Sequence, residues 1–329
     1  MNRLLQLVLS FALLSRPTTA SQLEERQFGC AAPLQRRSWT SLSPEAKRAY
    51  LDAERCLIDT PAQYGVPGAR SVWDELQYSH VRQSNYIHGV GQFLPWHRYY
   101  VKAHETLLQR HCGYQGGVPY WLEAASANNI TASPVWDADL GVGGDGAGLG
   151  GCVTTGRFAN LTLVINADSV VGEPYCLRRA INVNDFQNAA QSFIDECFAI
   201  PDYWSAMSCY GLSPHWSGHA GTGGIMADAM LAPGDPIFFL HHTNLDRLYL
   251  QWQKANPARY AEIGGPNLSP EFNGMNNWPM PGPEVTAYDG DPAGVTTLDH
   301  VLWMVGILPN VTVRQVLDPR GGVICADYV

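Results

Sequence analysis

Three features of the sequence predict a mainly α fold. Several segments carry helix start signals or amphipathic spacing. Two long stretches are too rich in glycine and proline for regular structure. Strand-like character is confined to one short run near the end. The first helix opens at Ser43, Pro44 and Glu45, which supply a capping hydroxyl, a residue suited to the first turn and an acid at the positive dipole end. It extends to about Leu57. A second amphipathic segment runs from Ser71 to about Arg82 and carries His80 near its end. Pro95 starts a third, from Trp96 to about Gln109, with His97 on its first turn. A further helix is expected between Ile181 and Cys197. Pro236 to Gln253 is the clearest helix of the second half, apolar in its first turns and amphipathic later. Residues 141–151 hold seven glycines in eleven positions and read as loop. The chain after Lys254 is again Pro- and Gly-rich until Val295, and Val311, Thr312 and Val313 read as a strand. No internal repeat and no dividing linker is visible, so residues 21–329 are expected to form one domain.

Composition narrows the function. Of 329 residues, 46% are hydrophobic and 16% charged, which is ample for a sizeable core. The formal net charge of −9 opposes binding to nucleic acid and to anionic membranes, so both are set aside as partners. Ten Trp and fifteen Tyr suit an aromatic core or a pocket for aromatic ligands, core being the ordinary use. Residues 1–20 read as a signal peptide. Arg3 is followed by an apolar run from Leu4 to Leu14 and a small-residue exit ending at Ala20. The run is short for a membrane span, so a secreted, extracellular protein is expected. Eight cysteines and no CxxC pair favour disulfides over a zinc or redox site, with the pairing left open. Sequons at Asn129, Asn160, Asn267 and Asn310 agree with export, although Pro270 weakens the third.

The histidines carry the chemistry. His80, His88 and His97 stand eight and nine residues apart in the first half. His215 and His219, then the adjacent pair His241 and His242, stand in the second. Imidazole suits copper, iron and zinc. His215 and His219 are one helical turn apart, so both rings can face one metal, and ligands borne on facing helices can converge inside a bundle. A lone histidine is more often a surface or satisfied core residue. The residues between His215 and His219 are Trp216, Ser217 and Gly218, so the zinc-protease HExxH form is absent. Spacing alone points to a histidine-bound metal without naming it.

The flanking residues go further. His88-Gly-Val-Gly-Gln-Phe93-Leu-Pro-Trp-His97-Arg98, continuing to Glu105, resembles the first copper signature of the tyrosinase, catechol oxidase and hemocyanin family. Asp235-Pro-Ile-Phe-Phe-Leu-His241-His242-Thr-Asn-Leu-Asp246-Arg247 resembles the second. The stretch from His215 to Met226 also matches the family. The resemblance covers residues 42–328 and is strongest to short secreted fungal polyphenol oxidases. It implies a four-helix bundle around two copper ions with long loops outside, His80, His88 and His97 holding the first copper, and His215, His219 and His242 the second. His241 is expected to be a non-ligand, because His242 lies four residues before Asp246 as the family's ligand does.

Departures from the family pattern refine this. Tyr86 stands where many members form a cysteine thioether to the second ligand, so no crosslink is expected. Trp216 follows His215 where monophenol-hydroxylating members often carry Asn. Met207 aligns with a water-holding glutamate. Pro119-Tyr-Trp121-Leu122-Glu123 replaces the usual Pro-Tyr-Trp-Asp-Trp, and the terminal Tyr-x-Tyr becomes Ala326-Asp-Tyr328. No C-terminal shielding domain is expected. Arg98 and Asp246 read as supporting residues, and Trp216 with residues 227–231, including Ala229 and Met230, as the border of the entrance. The resemblance implies oxidation of o-diphenols or related phenols to o-quinones with dioxygen, with weak or absent monophenol hydroxylation. The alternatives are a full tyrosinase or a pathway-specific phenol oxidase. An oxygen carrier of the hemocyanin type and a zinc hydrolase are remote.

Overall fold

The computed structural model describes residues 30–148, 150–168, 170–269, 291 and 293–329. The expected signal peptide lies outside them. Four long helices dominate: α1 (Pro44–Asp59), α2 (Val72–Ile87), α3 (Phe93–Cys112) and, in the second half, α7 (Ile237–Lys254). Shorter helices α4 (Gln191–Ala199), α5 (Tyr203–Tyr210) and α6 (Trp216–Thr222) lead into the last. Strands are short and occur in pairs. β1 (Leu34–Arg36) runs parallel to β6 (Ala326–Tyr328), while β2 (Thr162–Ile165) and β4 (Val301–Leu302) run antiparallel to β3 (Val171–Cys176) and β5 (Val311–Thr312). The predicted mainly α class is what the chain adopts.

Local chemistry sets the helix ends. Ser43 caps α1 by accepting from the Ala46 amide, and Ser71 with Asp74 forms a reciprocal capping box on α2. Helix α2 extends five residues beyond the expected end near Arg82, because Val81, Gln83, Ser84, Asn85 and Ile87 are all buried against the bundle. His80 is therefore mid-helix rather than near an end. Helix α3 begins at Phe93, before Pro95. Proline lacks an amide hydrogen, so it is tolerated anywhere in a first turn and marks that turn rather than its first residue. His97 consequently sits on the second turn. Gly113, at φ 67°, closes α3 in the left-handed conformation. The helix expected over residues 181–197 is broken. Asn182 caps a single turn at Val183–Phe186, Ala190 is extended, and α4 then runs to Ala199.

Charged groups lock the chain ends to the bundle. Asp246 on α7 accepts from Arg98 Nε of α3 at 2.5 Å, from Arg36 of β1 at 3.2 Å and from the Tyr328 hydroxyl of β6. Arg36 also pairs with Glu105 at 3.2 Å, and Arg98 donates to the Val316 and Leu317 carbonyls. Burial pushes the Glu105 carboxyl up, but Arg36 and Lys102 outweigh it and hold it below the usual range. A second buried pair joins Arg179 to Asp235 through two 2.7 Å bonds at the start of α7. Arg179 also donates to the carbonyls of Val142, Gly143 and Gly144, which anchors the glycine-rich loop. All eight cysteines pair, as Cys30–Cys325, Cys56–Cys112, Cys152–Cys176 and Cys197–Cys209. Cys30–Cys325 ties the two ends together beside β1 and β6. No helix of the described residues is long and apolar enough to cross a membrane.

Removing the Asp246 charge leaves two buried guanidinium groups short of a partner. Asp246→Asn should therefore lower the unfolding free energy by about 3–5 kcal/mol, read as a shift in the urea midpoint. A shift near zero would show that the cluster does not hold the termini.

Candidate metal centre

The first histidine group forms where α2 and α3 cross. His80 projects from the middle of α2, His88 is the residue at which α2 stops, and His97 projects from α3. Their ring centroids lie 4.9, 5.3 and 5.5 Å apart. Each Nδ1 faces a backbone carbonyl: His80 to Met230 at 3.0 Å, His88 to Ser84 at 3.0 Å, His97 to Phe93 at 2.8 Å. A carbonyl only accepts, so Nδ1 carries the proton and Nε2 the lone pair. At His80 and His97, Nε2 is buried and has no hydrogen-bond partner.

The second group comes from α6, the turn that precedes it, and α7. His215 ends a π-helical turn, Gly211–His215, that contains Pro214. Such turns widen a helix and recur at functional sites. Its Nδ1 donates to the Gly211 carbonyl at 3.2 Å, and His219 Nδ1 donates to the Met226 carbonyl at 2.6 Å. His242 on α7 brings its Nε2 to 3.2 Å from His219 Nε2. Two buried nitrogens that face each other in this way suit a shared cation. The groups adjoin through His97 and His242, whose rings stack with centroids 4.4 Å apart. Phe238 packs on His80, His219 and His242, and Phe93 on His97 and His215. Within each group one ring nitrogen per residue lies within 4.8 Å of the others.

Electrostatics favour metal over protons here. Burial pushes His88 down to about 4, with its bond to Ser84 opposing. Burial and neighbouring histidines push His80, His97, His215, His219 and His242 well below the ordinary histidine value. At neutral pH the rings are neutral and their lone pairs are available. Neutral nitrogen ligands fit copper or zinc better than magnesium or calcium, which prefer oxygen.

The other expected site residues fall into separate places. Arg98 and Asp246 lie in the ion cluster that ties β1 and β6 to the bundle. Trp216 is half exposed beside His215. Ala229 is partly buried near it in sequence order. Met230 was expected at the border of the entrance but is 2% exposed, because its side chain packs on Val81, Val164 and Ile165, while its carbonyl orients His80. Met207 is buried in the apolar core on α5 and offers no oxygen for a water. Tyr86 makes a thioether impossible, and no cysteine is free to form one elsewhere.

His241, expected to stand outside the ligand set, lies in the second group with His215, His219 and His242. Its Nδ1 meets Glu123 at 2.5 Å. Sequence reasoning registered Glu123 only as part of a departure from the family pattern. The acid after Pro119-Tyr-Trp121 was the available signal. The orienting carbonyls of Met226 and Met230 had no sequence signal, since any residue supplies a carbonyl.

The model for the common central domain of tyrosinase matches residues 70–255. Tyrosinase P of Aspergillus terreus is 30% identical to this chain, across 91% of the chain and 93% of that protein. The N-acetyl-6-hydroxytryptophan oxidase ivoB of Emericella nidulans is 28% identical, across 98% and 100%. Among solved structures, a variant of the polyphenol oxidase from Thermothelomyces thermophila aligns with a TM-score of 0.78 and 26% identity, across 94% of this chain and 92% of that one.

A pH dependence follows for the metal-free chain. The unfolded state takes up protons at these histidines below about 6.5, while folded His88 resists until about 4. Stability conferred by the neutral ring is thus intact above 6.5 and is lost as pH falls toward 4. For His88 alone this amounts to roughly 3 kcal/mol. Urea midpoints of the chelated protein should fall steeply across that window, and His88→Gln should flatten the fall. A slope unchanged by the substitution would contradict the assignment.

Proposed function

This chain belongs to the tyrosinase family, whose members use two copper ions, and we propose that it oxidises o-diphenols to o-quinones with dioxygen, using His80, His88 and His97 for one copper and His215, His219 and His242 for the other. The family membership makes it a copper oxidase of phenolic substrates. The finer reading rests chiefly on one observation: two buried groups of neutral histidines meet across the stacked His97 and His242 rings. When bound, the copper pair supplies two-electron exchange, so two catechols and one dioxygen give two quinones and two waters.

The chain's own residues prepare that exchange. Backbone carbonyls of Ser84, Phe93, Gly211, Met226 and Met230 fix five imidazoles as Nδ1–H tautomers and aim their Nε2 atoms inward. Phe238 and Phe93 fill the space around the rings and keep water out, which keeps the nitrogens unprotonated and the site apolar. Trp216, at 50% exposure, stands beside His215 as an aromatic wall against which a phenol ring can lie. Its bulk, and the absence of an acid at Met207, support weak monophenol hydroxylation. Residues 21–329 as one catalytic domain and secretion of the protein belong to the same reading. Exposed Asn129, Asn160 and Asn310 are compatible with it, whereas Ser269 of the third sequon is 1% exposed.

A narrower reading, a phenol oxidase dedicated to one bulky intermediate, is favoured by a single feature. Leu212 and Trp216 lie four residues apart and are 78% and 50% exposed on the segment that carries His215. Such an apolar pair suits a large substrate better than catechol itself.

Oxygen uptake decides among these. The copper-loaded protein should turn over a simple catechol at once, and a simple monophenol at least about tenfold more slowly without a catechol primer. Trp216→Asn should raise the monophenol rate relative to the catechol rate. Robust unprimed monophenol turnover by the unaltered protein would overturn the diphenol reading. Activity on bulky phenols with none on catechol would establish the narrower one.

A further inference from the structure

We propose that this chain is built to release its o-quinone as a free electrophile without being alkylated by it, because its thiols are all oxidised, its amines are few and engaged, and its surface cations are guanidinium groups. The proposal rests on the reading above that the product is an o-quinone. Such a product is attacked at a ring carbon by a thiolate or a neutral amine. The sulfur or nitrogen lone pair forms the new bond. The proton from the nucleophile and the displaced ring hydrogen then restore the two hydroxyls of a substituted catechol, so no further oxidant is needed. An enzyme that makes this electrophile is itself the nearest target.

The usual nucleophiles are withdrawn. All eight cysteines of the sequence are paired in disulfides, which leaves no thiolate to attack. The 21 cationic residues comprise three lysines, Lys47, Lys102 and Lys254, against eighteen arginines. Lysine is ordinarily among the commonest residues of a soluble chain, so the ratio is a marked departure. Each of the three is engaged. Lys102 Nζ lies 3.2 Å from the buried Glu105 carboxylate and is itself mostly covered. Lys254 Nζ lies 3.2 Å from Asp327. Lys47 Nζ stands over the Trp39 ring, 5.7 Å from its centroid. An amine must leave such a contact before it can attack.

The remaining groups fit the same rule. A guanidinium stays protonated in proteins and has no lone pair to give. Arg37, Arg314 and Arg320 are exposed. Arg314 makes a single contact with Asp299, and Arg320 one with Asp318. Isolated surface pairs of this kind contribute little and do not demand arginine over lysine, whereas indifference to a quinone does. Histidine, the other side chain able to add, is confined to the interior: eight of the ten are buried. The partly exposed His111 turns its Nε2 to the Tyr64 hydroxyl at 2.9 Å. The reaction that consumes the product is then addition of a thiol or amine that this chain does not carry.

The test counts covalent adducts on the copper-loaded protein, by intact mass and peptide mapping, in two arms. In one the protein turns over methylcatechol in air. In the other it receives the o-quinone of methylcatechol, prepared chemically. In both arms the unaltered chain should gain no adduct beyond the single one that its terminal amine can give. The triple variant Arg37→Lys/Arg314→Lys/Arg320→Lys keeps the net charge and adds three solvent-facing amines. It should gain up to about three more adducts, at those positions. Adducts at Lys47, Lys102 or Lys254 as dense as at the introduced lysines, or a triple variant as unmodified as the unaltered chain, would overturn the proposal. Failure of the underlying reading looks different: methylcatechol then gives no quinone in the first arm, whatever the adduct count in the second.

Discussion

The structure depends on one repeated interaction, the Nδ1–H of a buried histidine donated to a carbonyl that cannot move. It decides three things at once. It fixes the tautomer, it holds the ring at one angle, and it leaves Nε2 as the only atom able to meet a metal. Burial supplies the second condition, because a ring held neutral near pH 7 does not exchange its lone pair for a proton. Neither condition suffices alone. An oriented but wet histidine would titrate, and a dry but unoriented one would leave its nitrogen unsatisfied and its ligand geometry loose.

This constraint explains the less regular parts of the fold. Residues 226–230 form no long element, yet their carbonyls serve both groups, Met226 for His219 and Met230 for His80. The π-helical turn at Gly211–His215 offsets the segment that carries His215 and His219 from the helix before it, and their spacing of one helical turn then puts both rings on one side. The long helices do the coarse positioning. The ion cluster around Asp246 and the Arg179–Asp235 pair keep α3 and α7 in register with the chain ends and with the glycine-rich loop. The charged network is therefore remote from the chemistry but sets the frame in which two helices can bring His97 and His242 into contact.

Much of this was legible in the sequence, for identifiable reasons. Helix starts were readable because Ser43, Ser71 and the prolines act locally. The histidines were readable because their flanking residues form long patterns. Ends were read less well, because they are set by burial: α2 continues to Ile87 only because its last turns pack on the bundle. His241 illustrates the limit. Its contact with an acid was not readable, because only folding brings Glu123, 118 residues away, onto its ring. The inward turn of Met230 was invisible for a related reason, since an orienting carbonyl has no residue type.

The most direct test of the central claim is metal content combined with magnetism of the purified protein. Two coppers per chain should be found, and in the oxidised form they should give almost no electron paramagnetic resonance signal, since ions held by adjoining groups couple their spins. One copper per chain, zinc in place of copper, or two coppers with a full-intensity signal would contradict the account.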